Sequence, residues 1–192
     1  MARIIFEDLH LVPKLVKSHA IVMGLAFTVM MPLGVLVIRF LRVKGTIWIH
    51  AVWQMLSWIL MLAGLATGIR VGKIVDRLHN NAHTILGTIV VVLLLLQPFI
   101  GLIHHFRFRK ARAPGKWTRL HVWYGRVLIL LGIINGGLGL KLVKNTPGGE
   151  IAYGVVGGVF GAALLLVTVL VEKKKLPSSK QKAELELEER RL

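Results

Sequence analysis

The feature that most constrains the fold is an uncharged run of residues, 84–103, in the middle of the chain. At a rise of 1.5 Å per residue, about twenty helical residues cross the ~30 Å hydrocarbon core of a bilayer. Apolar runs of this kind recur along the chain, at 18–40, 46–69, 82–103, 118–140 and 151–171. The sequence therefore predicts an all-α, polytopic membrane bundle of five transmembrane helices with a four-helix core.

The bundle is expected to form one domain, residues 18–171. A short polar lead, residues 1–17, precedes it, and a charged tail, residues 172–192, follows it. The tail is rich in lysine and glutamate, so we expect it to be mostly disordered. An odd number of spans places the two termini on opposite sides of the membrane.

The composition excludes several classes of protein. A chain with 55% hydrophobic residues and a mean hydropathy of +0.67 is too apolar for a soluble domain of this length. The chain has no cysteine. This absence excludes cofactor attachment through Cys-x-x-Cys-His, iron–sulfur ligation and disulfide bonds.

The net charge of +16 points to membrane orientation rather than to nucleic-acid binding, because the basic residues lie in short links between spans. Eight lysines and arginines lie on the side of the N-terminus, and twelve lie on the other side before the distal tail. By the positive-inside rule, the second side is cytoplasmic. The sequence thus predicts an integral protein of the plasma membrane or an endomembrane, with its N-terminus outside or lumenal and its C-terminus cytoplasmic.

One histidine lies near the start of each of the first four spans: His19, His50, His83 and His121. Successive spans cross the membrane in opposite directions. His19 and His83 therefore lie near one face and are called the first pair, whereas His50 and His121 lie near the other and are called the second pair. A histidine at membrane depth is costly and needs a partner.

Such histidines could contact headgroups, join helices by hydrogen bonds, relay protons or bind a metal. Zinc prefers further cysteine, histidine or carboxylate ligands, and the first four spans contain no acidic residue, which also counts against a proton relay. A haem iron takes two imidazoles at equal depth on facing helices, and four-helix bundles build such sites. Gly87 and Gly125, one turn below His83 and His121, would leave room for a flat macrocycle, or would serve helix packing.

Four sequence runs occur in a fixed order: Ser18-His19-Ala-Ile-Val-Met23 with Met31-Pro32-Leu-Gly34, Ile49-His50-Ala-Val-Trp-Gln54, His83-Thr-Ile-Leu-Gly87 with Gln97-Pro98, and His121-Val-Trp-Tyr-Gly125-Arg126. Together they resemble the cytochrome b561 family, especially the b561 domain found behind DOMON domains in fungi and plants. The similarity covers roughly residues 15–172.

The resemblance implies two haem b groups with bis-histidine iron, one for each pair. It implies a transmembrane electron carrier, because many members oxidise cytoplasmic ascorbate and reduce ferric chelates or monodehydroascorbate on the far side. The expected activity is that type of oxidoreductase. No DOMON domain precedes the first span, so we expect the external acceptor to include a separate partner redox protein, unless the chain is a fragment. The family's six-span form has one more N-terminal helix.

Ascorbate is an anion at neutral pH, so its binding site should present cations beside the second pair. Lys44, Lys116 and Arg119 precede these histidines and lie where the resemblance implies the cytoplasmic ascorbate site; attraction to anionic lipid is the alternative. His79, at the opposite face, is either a substrate contact or a solvated loop residue. Arg126 either pairs with a haem propionate or extends to the membrane interface.

His104 and His105 are predicted to lie in the basic link between spans 3 and 4 and to contact lipid headgroups. Pro32 and Pro98 predict kinks in spans 1 and 3. The fifth span has two small-xxx-small pairs, Gly154 with Gly158 and Gly157 with Gly161. These pairs predict packing within the bundle, with a homodimer face as the alternative.

Two other functions remain open from the sequence. One is a quinol-linked cytochrome b that anchors a partner dehydrogenase in the membrane. The other is a non-redox scaffold or transport bundle whose histidines lie at the interface. The number of low-spin b haems in a visible spectrum separates the haem-binding functions from the non-redox one.

Overall fold

The computed structural model describes the backbone of residues 4–175 and the side chains of residues 4–170. Five long helices follow one another: α1 (Phe6–Phe40), α2 (Thr46–Ile74), α3 (Ala82–Ala111), α4 (Lys116–Leu142) and α5 (Pro147–Lys175). Each is long and apolar enough to cross a membrane, and the described residues contain no strand. The prediction of an all-α bundle with five spans is confirmed.

The helices extend beyond the apolar runs, because polar residues outside the hydrocarbon continue a helix as readily as apolar ones. α3 is one example: it ends at Ala111 rather than at residue 103, where the predicted apolar run ends. His104 and His105 therefore lie on the last turns of α3, and their placement in a loop was wrong. The helix ends where Arg112 adopts a left-handed backbone with φ of 53°. Pro114, shortly afterwards, prevents continuation.

The helices at both ends of the bundle also extend beyond the predicted apolar runs. The helical structure of α1 begins at Phe6, inside the predicted polar lead, with a 3₁₀ turn that runs to Leu11. α5 takes in the first residues of the predicted tail and reaches Lys175. The remainder of the tail, residues 176–192, lies outside the described residues.

α1 is irregular in its middle. A π-helical segment, Leu25–Met30, separates two α-helical parts. Pro32 has no N–H to donate to the carbonyl of Thr28, so the regular ladder is interrupted before the proline. The Thr28 hydroxyl donates to the Gly24 carbonyl at 2.7 Å. Pro98, in contrast, lies inside a helix that continues without a break through α3.

The core consists of two antiparallel hairpins, α1 with α2 and α3 with α4, within which the helices make their most extensive contacts. The hairpins meet where Phe27 of α1 packs against Gly132 of α4, a position at which a Cβ atom would collide with the ring. α2 and α3, although consecutive, touch little. The space between the hairpins is therefore the natural place for a shared site.

α5 packs on the outside of this core, against α1 and α4. The Tyr153 hydroxyl donates to the Ile133 carbonyl of α4 at 2.7 Å. Of its two small-xxx-small pairs, Gly157 and Gly161 face α4. A Cβ atom at Gly154 or Gly158, in contrast, would have no described atom within 4 Å beyond its own local backbone and chain neighbours. Packing within the bundle thus accounts for one pair, and a homodimer face on the other stays a prediction.

The N-terminal turn is fixed to the end of α2. The Ile5 N–H donates to the Ile74 carbonyl at 3.0 Å. Arg70 of α2 and Asp8 form an ion pair at 2.9 Å. These contacts hold the 3₁₀ turn on the side of the bundle where the first pair lies.

Candidate functional site: two histidine pairs

The structure brings the four histidines of the core together two by two. His19 of α1 and His83 of α3 have ring centroids 5.9 Å apart and ring planes at 83° to each other. His50 of α2 and His121 of α4 have centroids 6.5 Å apart and planes at 87°. These are the pairs that the parity of the spans places at equal depth. Each pair takes one histidine from each hairpin.

Three of the four rings are tethered through Nδ1 to a backbone carbonyl of the partner helix in the same hairpin. The contacts join His19 to Gly64 at 2.8 Å, His50 to Gly34 at 2.7 Å and His83 to Asn135 at 3.0 Å. A carbonyl oxygen only accepts, so Nδ1 carries the proton and donates it, and Nε2 keeps a free lone pair. Metal-binding histidines are oriented in this way.

Glycines make room for three of the rings. A Cβ atom would lie 2.7 Å from Cε1 of His19 at Gly68, 2.8 Å from Cε1 of His83 at Gly139, and 2.9 Å from Cε1 of His121 at Gly101. Gly68 lies one helical turn after Gly64, whose carbonyl accepts from His19. Gly139 lies one turn after Asn135, whose carbonyl accepts from His83. One helix face therefore supplies both the acceptor and the space for the ring. Sequence reasoning missed these three glycines.

The glycines predicted to face a macrocycle have other neighbours. A Cβ atom at Gly87 would lie 2.7 Å from Nδ2 of Asn135, and one at Gly125 would collide with the Gln97 amide. That amide donates from Nε2 to the His121 carbonyl at 3.0 Å. Each glycine thus accommodates an amide of the facing helix, and a role in cofactor binding stays a prediction. Sequence reasoning overlooked Asn135, which could have been noticed as a polar residue inside an apolar span.

The surroundings of His121 differ from those of the other three rings. Its Nδ1 atom is buried and has no hydrogen-bond partner within the described part of the chain. The ring of His104 stacks on it, with centroids 5.5 Å apart and planes at 19°. Arg126 of α4 is buried, with 5% of its surface exposed, and its guanidinium carbon lies 5.5 Å from the Trp123 ring centroid.

A cavity of about 410 Å³ opens near the start of α4 and is lined by Arg107, Lys116, Trp117 and Leu120. Of the predicted substrate cations, Lys116 belongs to this lining, whereas Lys44 and Arg119 are exposed and outside it. Arg107 was not predicted, because the candidate cations were chosen among the residues that closely precede His50 and His121 in the sequence. His79 is exposed on the link between α2 and α3.

The residues present fit an iron with two axial imidazoles. Rings bound on opposite sides of one metal atom, each at about 2 Å, have centroids roughly 6 Å apart, and both pairs match that separation. Within residues 4–170, no group of three or more histidine, cysteine or acidic side chains could hold a metal ion. The pairs therefore suit a macrocycle that supplies the other four ligands better than zinc, which takes three or four protein ligands.

The family model for eukaryotic cytochrome b561 matches residues 18–145, which is more than half of the chain. The chain belongs to the cytochrome b561 family. It is accordingly an integral membrane protein of a family that transfers electrons across membranes with haem. The matched residues include all four histidines of the two pairs.

Curated relatives from Arabidopsis thaliana agree with this assignment. One cytochrome b561 and DOMON domain-containing protein is 28% identical over 168 residues, which are 82% of this chain and 41% of that protein. A cytochrome b561 domain-containing protein is 30% identical over 134 residues, 64% of this chain and 50% of the relative. The chain thus spans half or less of these relatives' lengths. No solved structure matches it significantly.

Proposed function

We propose that this chain carries electrons across its membrane through two haem b groups, one at each histidine pair. The donor is cytoplasmic ascorbate, and the acceptor on the other side is a ferric chelate, monodehydroascorbate or a partner redox protein. The observation that carries the proposal is the geometry of the pairs. Two sets of facing imidazoles lie towards opposite ends of the same hairpins, and three of the four rings have Nε2 free to bind iron.

The spacing of the pairs suits electron transfer across the bilayer. The first pair meets α2 at Gly64, and the second pair takes His50 from the same helix. At 1.5 Å per residue, this stretch of α2 separates the pairs by roughly 20 Å. Bound haem supplies one-electron iron chemistry and a macrocycle wide enough to shorten that gap. Met61, Val90 and Leu128, buried between the pairs along their helices, exclude water from it.

The residues around each pair keep the ligands in place. The carbonyls that accept from His19, His50 and His83 hold these rings at fixed rotations, so little rearrangement accompanies a change of iron charge. Arg126, buried in α4 near the second pair, is the candidate to neutralise a haem propionate. Gly87 and Gly125 remain candidates for close approach to the macrocycle.

The cationic cavity supports the assignment of the donor side. Arg107 and Lys116 line it, close in sequence to His104 and His121, and two cations attract a small monoanion at low ionic strength. Lys44 and Arg119 add positive charge at the same end of the bundle. His79, exposed on the link at the opposite end, is the candidate contact for the acceptor.

The excess of basic residues supports a cytoplasmic position for this end of the bundle. The chain has no cysteine, so single cysteines can report the orientation. In sealed right-side-out vesicles, we expect an impermeant maleimide to label Asn80→Cys and to leave Ala113→Cys unlabelled until the membrane is opened. The reverse pattern would invert the proposed direction of electron flow.

The experiment that tests the function uses purified protein in vesicles loaded with ascorbate. We expect the reduced spectrum of two low-spin b haems per chain and reduction of an external ferric chelate at a rate that depends on the protein. Protein-containing vesicles without internal ascorbate are the control. Absence of haem from fully inserted protein, or reduced haem without transfer to the external chelate, would refute the proposal.

A further inference from the structure

The second pair differs from the first in how one of its rings is held. His19, His83 and His50 each direct Nδ1 at a carbonyl oxygen. Nδ1 of His121 is buried and has no such partner in the part of the chain that the structure describes. A metal-binding histidine is normally oriented through its second nitrogen. Among the described residues, the contact that can fix the rotation of the His121 ring is therefore of another kind.

His104 supplies that contact. Its ring lies nearly parallel to that of His121, with a centroid separation of 5.5 Å and an interplanar angle of 19°. Gly101, less than one turn earlier on α3, leaves the space into which His121 fits, since a Cβ atom there would be 2.9 Å from Cε1. The glycine and the imidazole thus confine the ring of His121 from the same face of α3.

The orientation confined in this way has a measurable consequence. The planes of His50 and His121 stand at 87° to each other. The angle between two axial imidazoles sets the splitting of the iron d orbitals, and this splitting determines the g-values of low-spin ferric haem. A side chain that fixes the rotation of one imidazole therefore influences the electronic character of the iron without binding to it.

We propose that His104 is a positioning residue of the second pair. It stacks on His121 and holds that ring perpendicular to His50, in place of the carbonyl that orients each of the other three histidines. The proposal rests on the proposed function in one respect only, namely that the second pair binds haem. It replaces the earlier expectation that His104 contacts lipid headgroups.

The test uses the full-length protein with both haems bound and compares three variants: His104→Ala, His104→Phe and His105→Ala. Electron paramagnetic resonance and redox titration resolve the two haems. In His104→Ala, we expect a shifted and broadened largest g-value and a changed midpoint potential for one haem, with unchanged haem content. That haem should be the one that His121→Ala removes.

His104→Phe should restore the native g-value, because a flat ring without nitrogen can still stack. His105→Ala is the matched control: its ring lies edge-on to Trp48, with centroids 5.8 Å apart at 61°, and neither haem should change. Three results would overturn the proposal. These are native resonances in His104→Ala, equal changes at both haems, and a failure of His104→Phe to retain the native signal. A wild-type protein without haem would refute the proposed function instead.

Discussion

The two histidine pairs are built from the same parts but are held differently. In the first pair, both rings donate to carbonyls, and a glycine borders each of them. In the second pair, His50 is tethered in this way, but His121 lacks a carbonyl and contacts the ring of His104. The cationic cavity lies at the end of α3 and the start of α4, on the side of the second pair.

This difference predicts that substitutions have different effects at the two pairs. Backbone carbonyls cannot be replaced by substitution, so the rotations of the first pair are set by the fold itself. The rotation of His121 depends on a side chain, which mutation can change without altering the backbone. Under the proposed function, single substitutions at the second pair should therefore change the redox properties of its haem, whereas substitutions at the first pair should disrupt packing.

The largest effect is expected from removing a histidine of either pair. His50→Ala and His121→Ala should each leave half of the haem and the same remaining spectrum, because they disable the same site. His19→Ala and His83→Ala should both leave the complementary spectrum. Haem content and low-temperature absorption spectra of the four variants test this pairing. If His50→Ala and His121→Ala removed different haems, the pairing would be wrong.

Glycine-to-alanine substitutions beside His83 and His121 should affect haem binding differently, because His83 is tethered to a carbonyl and His121 is not. Gly139→Ala places a Cβ atom 2.8 Å from Cε1 of His83, and His83 is held by a carbonyl. Such overpacking costs about 1–3 kcal/mol, so we expect roughly tenfold faster haem loss from the first pair to excess apomyoglobin. Gly101→Ala should have a smaller effect, because His121 is held by the side chain of His104, which can move with the ring, rather than by a backbone carbonyl.

Gly137→Ala is the control for these variants, since a Cβ atom there would have no described atom within 4 Å apart from its own local helix backbone and chain neighbours. It should lose haem at the wild-type rate. Equal acceleration in Gly139→Ala and Gly101→Ala would show that the carbonyl tether does not distinguish the two pairs.

The smallest effects, a few-fold in rate, are expected at the cationic cavity. Neutralising Lys44 and Lys116 together as glutamine, or Arg107 alone, should slow reduction by ascorbate at low salt and leave the haem spectrum and reduction by dithionite unchanged. The loss should shrink at high salt, because screening already weakens the wild-type attraction.

Arg109→Gln is the matched control for Arg107→Gln, because Arg109 lies on the same helix, is exposed and does not line the cavity. It removes the same charge and should leave the rate nearly unchanged. Unchanged kinetics in the Lys44 and Lys116 double variant at low salt would leave attraction to anionic lipid as the role of these lysines.

The sequence was sufficient for the fold because lipid imposes a strong rule: an apolar run of sufficient length forms a helix. Parity of the spans then assigned His19 and His83 to one face and His50 and His121 to the other, and the structure places the same residues side by side. That these residues bind iron stays a prediction, which the haem measurements above test.

The contacts around the pairs could not be predicted in the same way. Every residue has a carbonyl, so nothing in the sequence marks Gly64 or Asn135 as the acceptor for a particular ring. The length of α3 was also underestimated, because hydropathy reports where the membrane ends and not where the helix ends. For this reason His104 was assigned to a loop, and its contact with His121 was missed.

The division of each pair between the two hairpins has a consequence for biogenesis. Each hairpin can enter the bilayer with its own backbone hydrogen bonds satisfied, but neither contains a complete ligand set. Under the proposed function, a haem that binds a pair also joins the hairpins, so cofactor loading and assembly of the bundle are thermodynamically linked. The supply of haem in the cell would then set how much of the inserted chain matures and how much is left to membrane quality control.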